Sequence, residues 1–316
     1  MRALDLITQA LEIVAALAAA PVFLGWINQC RAWLQNRRAP SLWLPYRDIR
    51  KLFHKEAVIP ERASGLFRIA PYVVFSAMVL AAAIIPSMGT ALPLTSAADA
   101  IALVGLLATA RVFQALAAMD IGTAFGTLGA RREMMVGFLA EPALLIVIFV
   151  ASIISATTAL PAIAQHLATQ QLGLFPSLAF TGVAFTCVLL AENARIPIDN
   201  PATHLELTMI HEAMLLEYSA RHLALMEWAA ALKLFNYACI GFALFVPWGI
   251  ATDAGTPVTL LASIPILALK LLVAGAVLAL VETVSAKLRV FRAPEFLGTA
   301  FLFAVLGLLV HLLLGA

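Results

Sequence analysis

Residues 138–160 read FLAEPALLIVIFVASIISATTAL, a run in which Glu141 is the only charged side chain. A helix needs about 20 mostly apolar residues to cross the hydrocarbon core of a bilayer, so this run is long enough to span a membrane. Seven further segments have the same character: 6–27, 69–89, 98–119, 174–193, 226–250, 258–283 and 294–315. We do not expect the first of them to be a cleaved signal peptide. Asp5 and Glu12 interrupt its start, and Arg2 is the only basic residue before it, so it lacks the basic region of a signal peptide.

The composition of the whole chain agrees with this pattern. Of 316 residues, 63% are hydrophobic and 12% are charged, with a mean hydropathy of +0.97. A soluble domain usually has about 25% charged residues. The net charge of +2 is too small to indicate a nucleic-acid partner, and the three cysteines form no CxxC pair that would suggest a zinc or iron–sulfur site. We therefore predict an all-α polytopic membrane protein with about eight transmembrane helices in a single membrane domain, residues 1–316.

Basic residues indicate how the chain is oriented. Most of the 20 Lys and Arg residues lie in four predicted loops: 28–68, 120–137, 194–225 and 284–293. The positive-inside rule places such loops in the cytoplasm, which leaves the N and C termini outside. Because the outer loops are short and nearly uncharged, we expect any large partner to dock on the cytoplasmic face.

Four carboxylates lie at or near the cytoplasmic ends of predicted spans: Glu141, Glu192, Glu227 and Glu282. An ionisable residue at membrane depth is costly unless it is paired or hydrated, and is therefore a functional candidate. A single residue near a span end can also snorkel to the headgroups. Four carboxylates from four helices favour a shared polar interior. Arg111 and Lys270 lie within spans and could pair with these acids, although the sequence assigns no partners.

The segment between the fifth and sixth spans, residues 192–219, reads ENARIPIDNPATHLELTMIHEAMLLEYS. Its two prolines prevent a helix in the first part, whereas Thr203 and Glu206 have the spacing of a capping box. We therefore predict a helix from 203 to about 219. In such a helix Glu206 and Glu217 differ by only about 20° around the axis. Both would face the bundle, where burial suits carboxylates that take up and release protons; for Glu206 the capping box alone is the alternative.

Other features of this segment have simpler explanations. Arg195 and Asp199 could form a loop salt bridge, and His204 and His211 suit interfacial positions. The string at 211–215, HEAML, lacks the second histidine of a zinc protease. No nucleophile elbow, P-loop or dinucleotide fingerprint accompanies it, so we predict no stand-alone active site. We also find no internal repeat, which argues against an autonomous transporter.

Several short motifs together indicate a family. They are RRAP at 37–40, KLFHKE at 51–56, DIGTAFGTLGARRE at 120–133, Glu141-Pro142, ENARIPID at 192–199, NPATHLEL at 200–207 and Glu217-Tyr218-Ser219. The chain resembles the NuoH family of membrane proteins from respiratory complex I. It is more similar to the membrane subunit of group 4 nickel–iron hydrogenases, of the formate hydrogenlyase type, over nearly its whole length.

The resemblance implies a membrane anchor that couples a hydrophilic redox arm to ion translocation. It implies partners on the cytoplasmic face that resemble hydrogenase large and small iron–sulfur subunits, and antiporter-like subunits in the membrane. The nickel–iron centre and the clusters would belong to those partners, with no cofactor on this chain. We expect a multi-pass protein of a prokaryotic cell (inner) membrane.

By the same resemblance, two groups of residues have expected roles. The proton-path candidates are Glu141, Glu192, Glu206, Glu217, Glu227 and Glu282. The interface or switch-loop candidates are Arg37, Arg38, Arg195, Asp199 and His204. The alternative is the equivalent quinone-site subunit of a complex I relative. His204 stands where the complex I form commonly has one member of an acidic pair, a departure that favours the hydrogenase branch.

Overall fold

A computed structural model describes residues 3–96, 99–169, 175–199, 209–251, 257–286, 288 and 292–314. Within these ranges the chain is almost entirely helical. The helices are α1 (Ala3–Leu34), α2 (Leu44–Phe53), α3 (Gly65–Ile84), α4 (Ala100–Asp120), α5 (Ala124–Ser155), α6 (Leu160–Thr169), α7 (Pro176–Glu192), α8 (His211–Leu215), α9 (Ala220–Phe245), α10 (Pro257–Val284) and α11 (Ala293–Leu314). A 3₁₀ turn, Pro93–Ser96, precedes α4.

The prediction of an all-α, multi-pass membrane protein is confirmed. In the described ranges, seven helices are long and apolar enough to cross a membrane, namely α1, α3, α4, α5, α9, α10 and α11. The predicted span at 174–193 corresponds to the shorter apolar helix α7. Its 17 residues extend over about 26 Å, slightly less than a typical hydrocarbon core. The orientation of loops and termini stays a prediction.

The prediction that residues 120–137 form a loop is wrong. Helix α5 begins at Ala124, so the two arginines of this region, Arg131 and Arg132, lie on the helix. Hydropathy locates the apolar part of a helix but not its polar end, where Ala, Arg, Glu and Met continue helical structure readily. As a consequence Glu141 lies about midway along α5 and not at the start of a span.

The prediction of one helix from 203 to about 219 is also wrong. Helix α8 comprises only His211–Leu215, and the chain turns at Leu216 and Glu217. Its start is fixed by Asp199, whose Oδ2 accepts hydrogen bonds from the backbone N–H groups of Ile210 (3.1 Å) and His211 (3.3 Å). Glu206 and His204 lie outside the described residues. Since residues 209 and 210 are not helical, the 20° relation between Glu206 and Glu217 does not apply.

Helix α9 lies at the centre of the bundle, and 67% of its most apolar window is buried, against 22% for α10 and α11. It packs against α1 and α3, while α5 packs against α4, α7 and α11. Apolar side chains on α10 and α11, such as Leu269 and Leu312, are exposed at the periphery of the bundle. This arrangement brings α4, α5, α7 and α9 together around one buried region, which holds the charged residues described next.

Candidate functional site

Arg111 on α4 is the centre of a buried charge cluster. Its side chain is 2% exposed and faces three carboxylates from two neighbouring helices. Its Nε lies 3.4 Å from Glu133 Oε1, its Nη1 donates to Glu141 Oε1 at 2.6 Å, and its Nη2 donates to Glu192 Oε1. The prediction that Arg111 pairs with the intramembrane acids is confirmed. We call this group the Arg111 cluster, and define it as Arg111, Glu133, Glu141, Glu192, His211 and Lys233.

The geometry of α5 explains how one guanidinium reaches two of these acids. Glu133, Gly137 and Glu141 are four residues apart, so they lie one above another on the same face of the helix. Gly137 leaves room between the two carboxylates, because a Cβ at this position would overlap the guanidinium of Arg111. The two acids therefore flank the arginine from above and below.

The other members of the Arg111 cluster come from α8 and α9. Lys233 Nζ lies 3.0 Å from Glu192 Oε2, and His211 Nδ1 lies 3.4 Å from Glu133 Oε2. Among the cluster residues, Arg111 and Lys233 are the permanent cations, and they face three carboxylates. When all three carboxylates are ionised, the two permanent cations leave the cluster with one negative charge in excess.

A second group of charges has one positive charge in excess, with two arginines facing one carboxylate. Glu282, near the end of α10, lies 3.1 Å from Arg195 Nη1 and 3.6 Å from Arg31 Nη1. Burial lowers the pKa of Arg195, which lies beyond the end of α7, and the Glu282 carboxylate opposes this effect. Arg195 thus pairs with α10 and not with Asp199, which instead fixes the start of α8. The predicted Arg195–Asp199 loop bridge is wrong.

A cavity of about 330 Å³ lies between these two charged groups. Arg111, Glu192 and Lys233 line it from one side, and Arg31 and Arg195 line it from the other. A neighbouring cavity of about 440 Å³ shares Leu24, Asn28 and Glu227 with it. Charged side chains from both groups therefore line one cavity, which is large enough for water or a small organic group.

The remaining predicted residues lie around this region. Glu227 lines both cavities, Glu217 is half-buried at the turn after α8, and Arg37 and Arg38 are exposed beyond the end of α1. Lys270 lies apart from the Arg111 cluster: its Nζ donates to the Val246 carbonyl at 2.6 Å and lies 5.7 Å from the centre of the Phe242 ring. His204 and Glu206 lie outside the described residues.

Glu133 and His211 are members of the Arg111 cluster that the sequence analysis did not single out as site residues. Glu133 lies in the region predicted as a loop, where a charged side chain is expected and does not indicate a functional site. The signal that could have found it is the spacing Glu133–Gly137–Glu141, with two acids bracketing a glycine at helical intervals. In the part of the chain that the structure describes, no three His, Cys, Asp or Glu side chains gather as metal ligands.

The fold and this site define a class: a multi-pass helical membrane protein with a buried network of ion pairs beside a cavity. The chain belongs to the NADH dehydrogenase family, which matches residues 7–313.

Two relatives and one solved structure are similar over most of their length. Hydrogenase-4 component C of Escherichia coli is 35% identical over 277 residues, covering 87% of this chain and 86% of that protein. Formate hydrogenlyase subunit 4 of the same organism is 32% identical over 296 residues, covering 94% and 95%. A chain of the membrane-bound sulfane sulfur reductase, an archaeal respiratory membrane complex, has a TM-score of 0.81 at 20% identity, covering 96% of this chain and 98% of that one. The resemblance to the hydrogenase branch is thus confirmed, and the solved structure confirms the fold.

Proposed function

We propose that this chain is the membrane subunit of a group 4 nickel–iron hydrogenase or formate hydrogenlyase-like complex, in which it anchors the hydrophilic redox arm and begins the proton path. The observation that carries the proposal is the charge balance of the Arg111 cluster. Three carboxylates face two permanent cations, so one carboxylate is in excess, and a proton taken up by the cluster would neutralise it. The similarity to hydrogenase-4 component C and formate hydrogenlyase subunit 4 supplies the redox context.

The Arg111 cluster can move a proton by exchanging ion-pair partners. When a proton passes from His211 to Glu133, Arg111 loses one anionic partner and its attraction to Glu141 and Glu192 increases. A redox event in the attached arm that displaces α8 would separate His211 from Glu133 and drive this exchange. Lys233 lines the same cavity as Glu227, so the charge change can be passed to the second cavity. In this scheme Glu141, Glu192, Glu217, Glu227 and Glu282 keep their role as proton-path candidates.

The experiment uses the whole complex reconstituted in vesicles, with protons moved per electron as the measurement. Glu133→Gln keeps the size and hydrogen-bonding capacity of the side chain but cannot take up a proton. We expect translocation to fall towards zero while the subunits remain assembled and nickel and iron content is unchanged. Glu295→Gln is the matched control, because Glu295 is an exposed carboxylate in the first turn of α11. Normal translocation in an assembled Glu133→Gln complex would remove the Arg111 cluster from the path.

The docking surface is tested separately. Arg37 and Arg38 are exposed beyond α1, in a predicted cytoplasmic loop. Replacing both with Glu reverses the local charge, and we expect the redox arm to dissociate from membranes while this chain still inserts. Retention of the arm at physiological salt would show that the two arginines determine topology alone.

The second candidate function is a quinone-site subunit of a complex I relative. Its support is the pair of adjoining cavities beside Leu24 and Asn28, together with the family match. Quinone-site inhibitors distinguish the two functions. Saturable inhibition of electron transfer that added quinone reverses would favour the quinone site, and unaffected electron transfer would favour the hydrogenase.

A further inference from the structure

A buried carboxylate lies apart from the Arg111 cluster, near the end of the bundle where α3 ends and α4 begins. Glu12 is on the first turns of α1, and only 1% of its surface is exposed. Its Oε1 accepts two hydrogen bonds, from the backbone N–H groups of Met88 (2.9 Å) and Gly89 (2.7 Å). Both donors belong to the loop that joins α3 to α4. Glu12 therefore contacts the loop that follows α3, and two backbone N–H groups of this loop hold its carboxylate.

The second oxygen of Glu12 has a different environment. Oε2 is buried and has no hydrogen-bond partner among the described residues. No ion pair to Glu12 is present in that part of the chain. The titratable groups that face it there are the Cys239 thiol, from α9, and beyond this thiol Lys270, from α10. Gln9, three residues before Glu12 on the same helix, donates to the Ala83 carbonyl at 3.0 Å.

These two environments favour opposite charge states of one carboxyl group. The two N–H donors on Oε1 stabilise the anion, since hydrogen bonds to the charged form favour it. Burial without a cation favours the neutral acid, because a buried, unpaired charge is costly. Oε2 is the atom that carries the proton in the neutral form. The structure thus contains a feature that stabilises the ionised carboxylate and a feature that stabilises the protonated acid. A group that exchanges a proton needs both forms to be accessible.

The loop that carries the two N–H donors is anchored at a second point. Ser87 and Thr90 flank the two donor residues and are half-buried. The loop is held by a short bridge to the segment after α9, in which Thr90 N–H donates to the Ala251 carbonyl (3.0 Å) and Ala251 N–H donates to the Met88 carbonyl (2.8 Å). The bridge thus fixes the position of the two N–H donors that hold Oε1.

We propose that Glu12 is a second proton-binding site, separate from the Arg111 cluster and near the end of the bundle where α3 ends and α4 begins. Helix α9 contributes a residue to each site, Lys233 to the Arg111 cluster and Cys239 beside Glu12. Lys233 and Cys239 are six residues apart on α9, which corresponds to about 9 Å along its axis. Asn236 lies between them, buried, with its Nδ2 bonded to the Met78 carbonyl at 2.9 Å. The inference rests on the proposed function, in which this chain takes part in proton movement.

The test is infrared difference spectroscopy of the purified complex between acidic and alkaline pH. We expect a carbonyl band of a protonated carboxyl group that disappears at alkaline pH and is absent from Glu12→Gln. Gln9→Leu is the matched control, because it removes a buried polar group one turn away that cannot titrate. In vesicles, Glu12→Gln should move fewer protons per electron, with electron transfer retained. Glu12→Asp, which stays titratable, should shift the pH at which the band disappears.

The alternative is a permanently charged carboxylate that only caps the loop. In that case the band would be the same in Glu12→Gln and the parent complex, and the inference would be overturned. If Glu12→Gln does not assemble, Glu12→Asp decides, because an unshifted band in an assembled Glu12→Asp complex excludes titration of this residue. Normal translocation in Glu12→Gln with loss in Glu133→Gln refutes this inference alone. Normal translocation in both variants refutes the proposed function.

Discussion

The two ends of the helix bundle stabilise buried carboxylates in different ways. At the end where α7 and α10 terminate, and in the adjoining middle of the bundle, Glu133, Glu192 and Glu282 face the side chains of Arg and Lys. At the other end Glu12 and Asp99 accept hydrogen bonds from backbone N–H groups. Side-chain cations can change partners when a proton moves, whereas backbone donors remain where the loop or helix places them. The region around Arg111 is therefore suited to rearrangement of charges. The region around Glu12 and Asp99 is suited to local proton exchange or to capping.

Among the variants considered, removal of Arg111 should lower the stability of the complex most. Arg111→Leu leaves Glu133, Glu141 and Glu192 with Lys233 as the only permanent cation of the Arg111 cluster. Breaking a buried ion pair by removing one partner costs about 3–5 kcal/mol. We expect a clear fall in the melting temperature of the detergent-solubilised complex, or failure to assemble.

The double variant Arg111→Leu with Glu192→Leu sharpens this prediction. Replacing both partners of a buried pair with apolar residues is often nearly neutral, so part of the lost stability should return. A double variant that is less stable than Arg111→Leu would show that Glu192 is compensated chiefly by Lys233.

Gly137→Ala should have an intermediate effect. The added Cβ overlaps the Arg111 guanidinium, and overpacking of a buried site typically costs about 1–3 kcal/mol. Gly105→Ala on α4 is the control, because a Cβ there meets no other atom within 4 Å. We expect a lower melting temperature and reduced proton translocation only for Gly137→Ala. Equal melting temperatures for the two variants would indicate that the guanidinium can move away without cost.

The membrane helices could be predicted from the sequence because their signal is local. Each needs only a continuous apolar run, and all eight predicted spans have a helical counterpart in the described residues. The polar end of α5 escaped prediction for the complementary reason, since residues 124–137 carry charges that hydropathy assigns to a loop. Similarly, the start of α8 depends on Asp199, eleven residues before Ile210, and no local propensity contains that contact.

The Arg111 cluster could be predicted only in part. The sequence marks Glu141, Glu192, Glu227 and Glu282 as costly carboxylates that favour a shared polar interior. In the described residues Glu141 and Glu192 pair with Arg111, whereas Glu282 pairs with Arg195 and Glu227 lines both cavities. Which acid meets which cation depends on how α4, α5, α7 and α9 pack, and the residues of the closest pair, Arg111 and Glu192, are 81 positions apart. Helical spacing on one segment carries no information about such distances.

Asp99 provides the smallest and most local test of the contrast between the two ends. Its Oδ1 accepts hydrogen bonds from the N–H groups of Ile101 and Ala102, both at 3.1 Å, and so caps the first turn of α4. The Ala102 hydrogen bond, with smaller contributions from Thr158 and Ile101, lowers the pKa of Asp99 below its usual 3.8. Asp99→Ala should lower stability by about 1 kcal/mol, the typical value of a helix cap.

The pH dependence of this effect follows from the sign of the shift. A carboxyl whose pKa is lower in the folded state contributes stability above the unfolded pKa, and this contribution is lost as the pH falls through the folded pKa. The difference in melting temperature between the parent and Asp99→Ala should therefore be full at neutral pH and shrink below about pH 4. Asp99→Asn separates capping from charge, because Asn caps helices about as well as Asp but does not titrate. We expect Asp99→Asn to melt near the parent at neutral pH, and a loss as large as that of Asp99→Ala would mean that the charge, and not the hydrogen bonds, stabilises this end of α4.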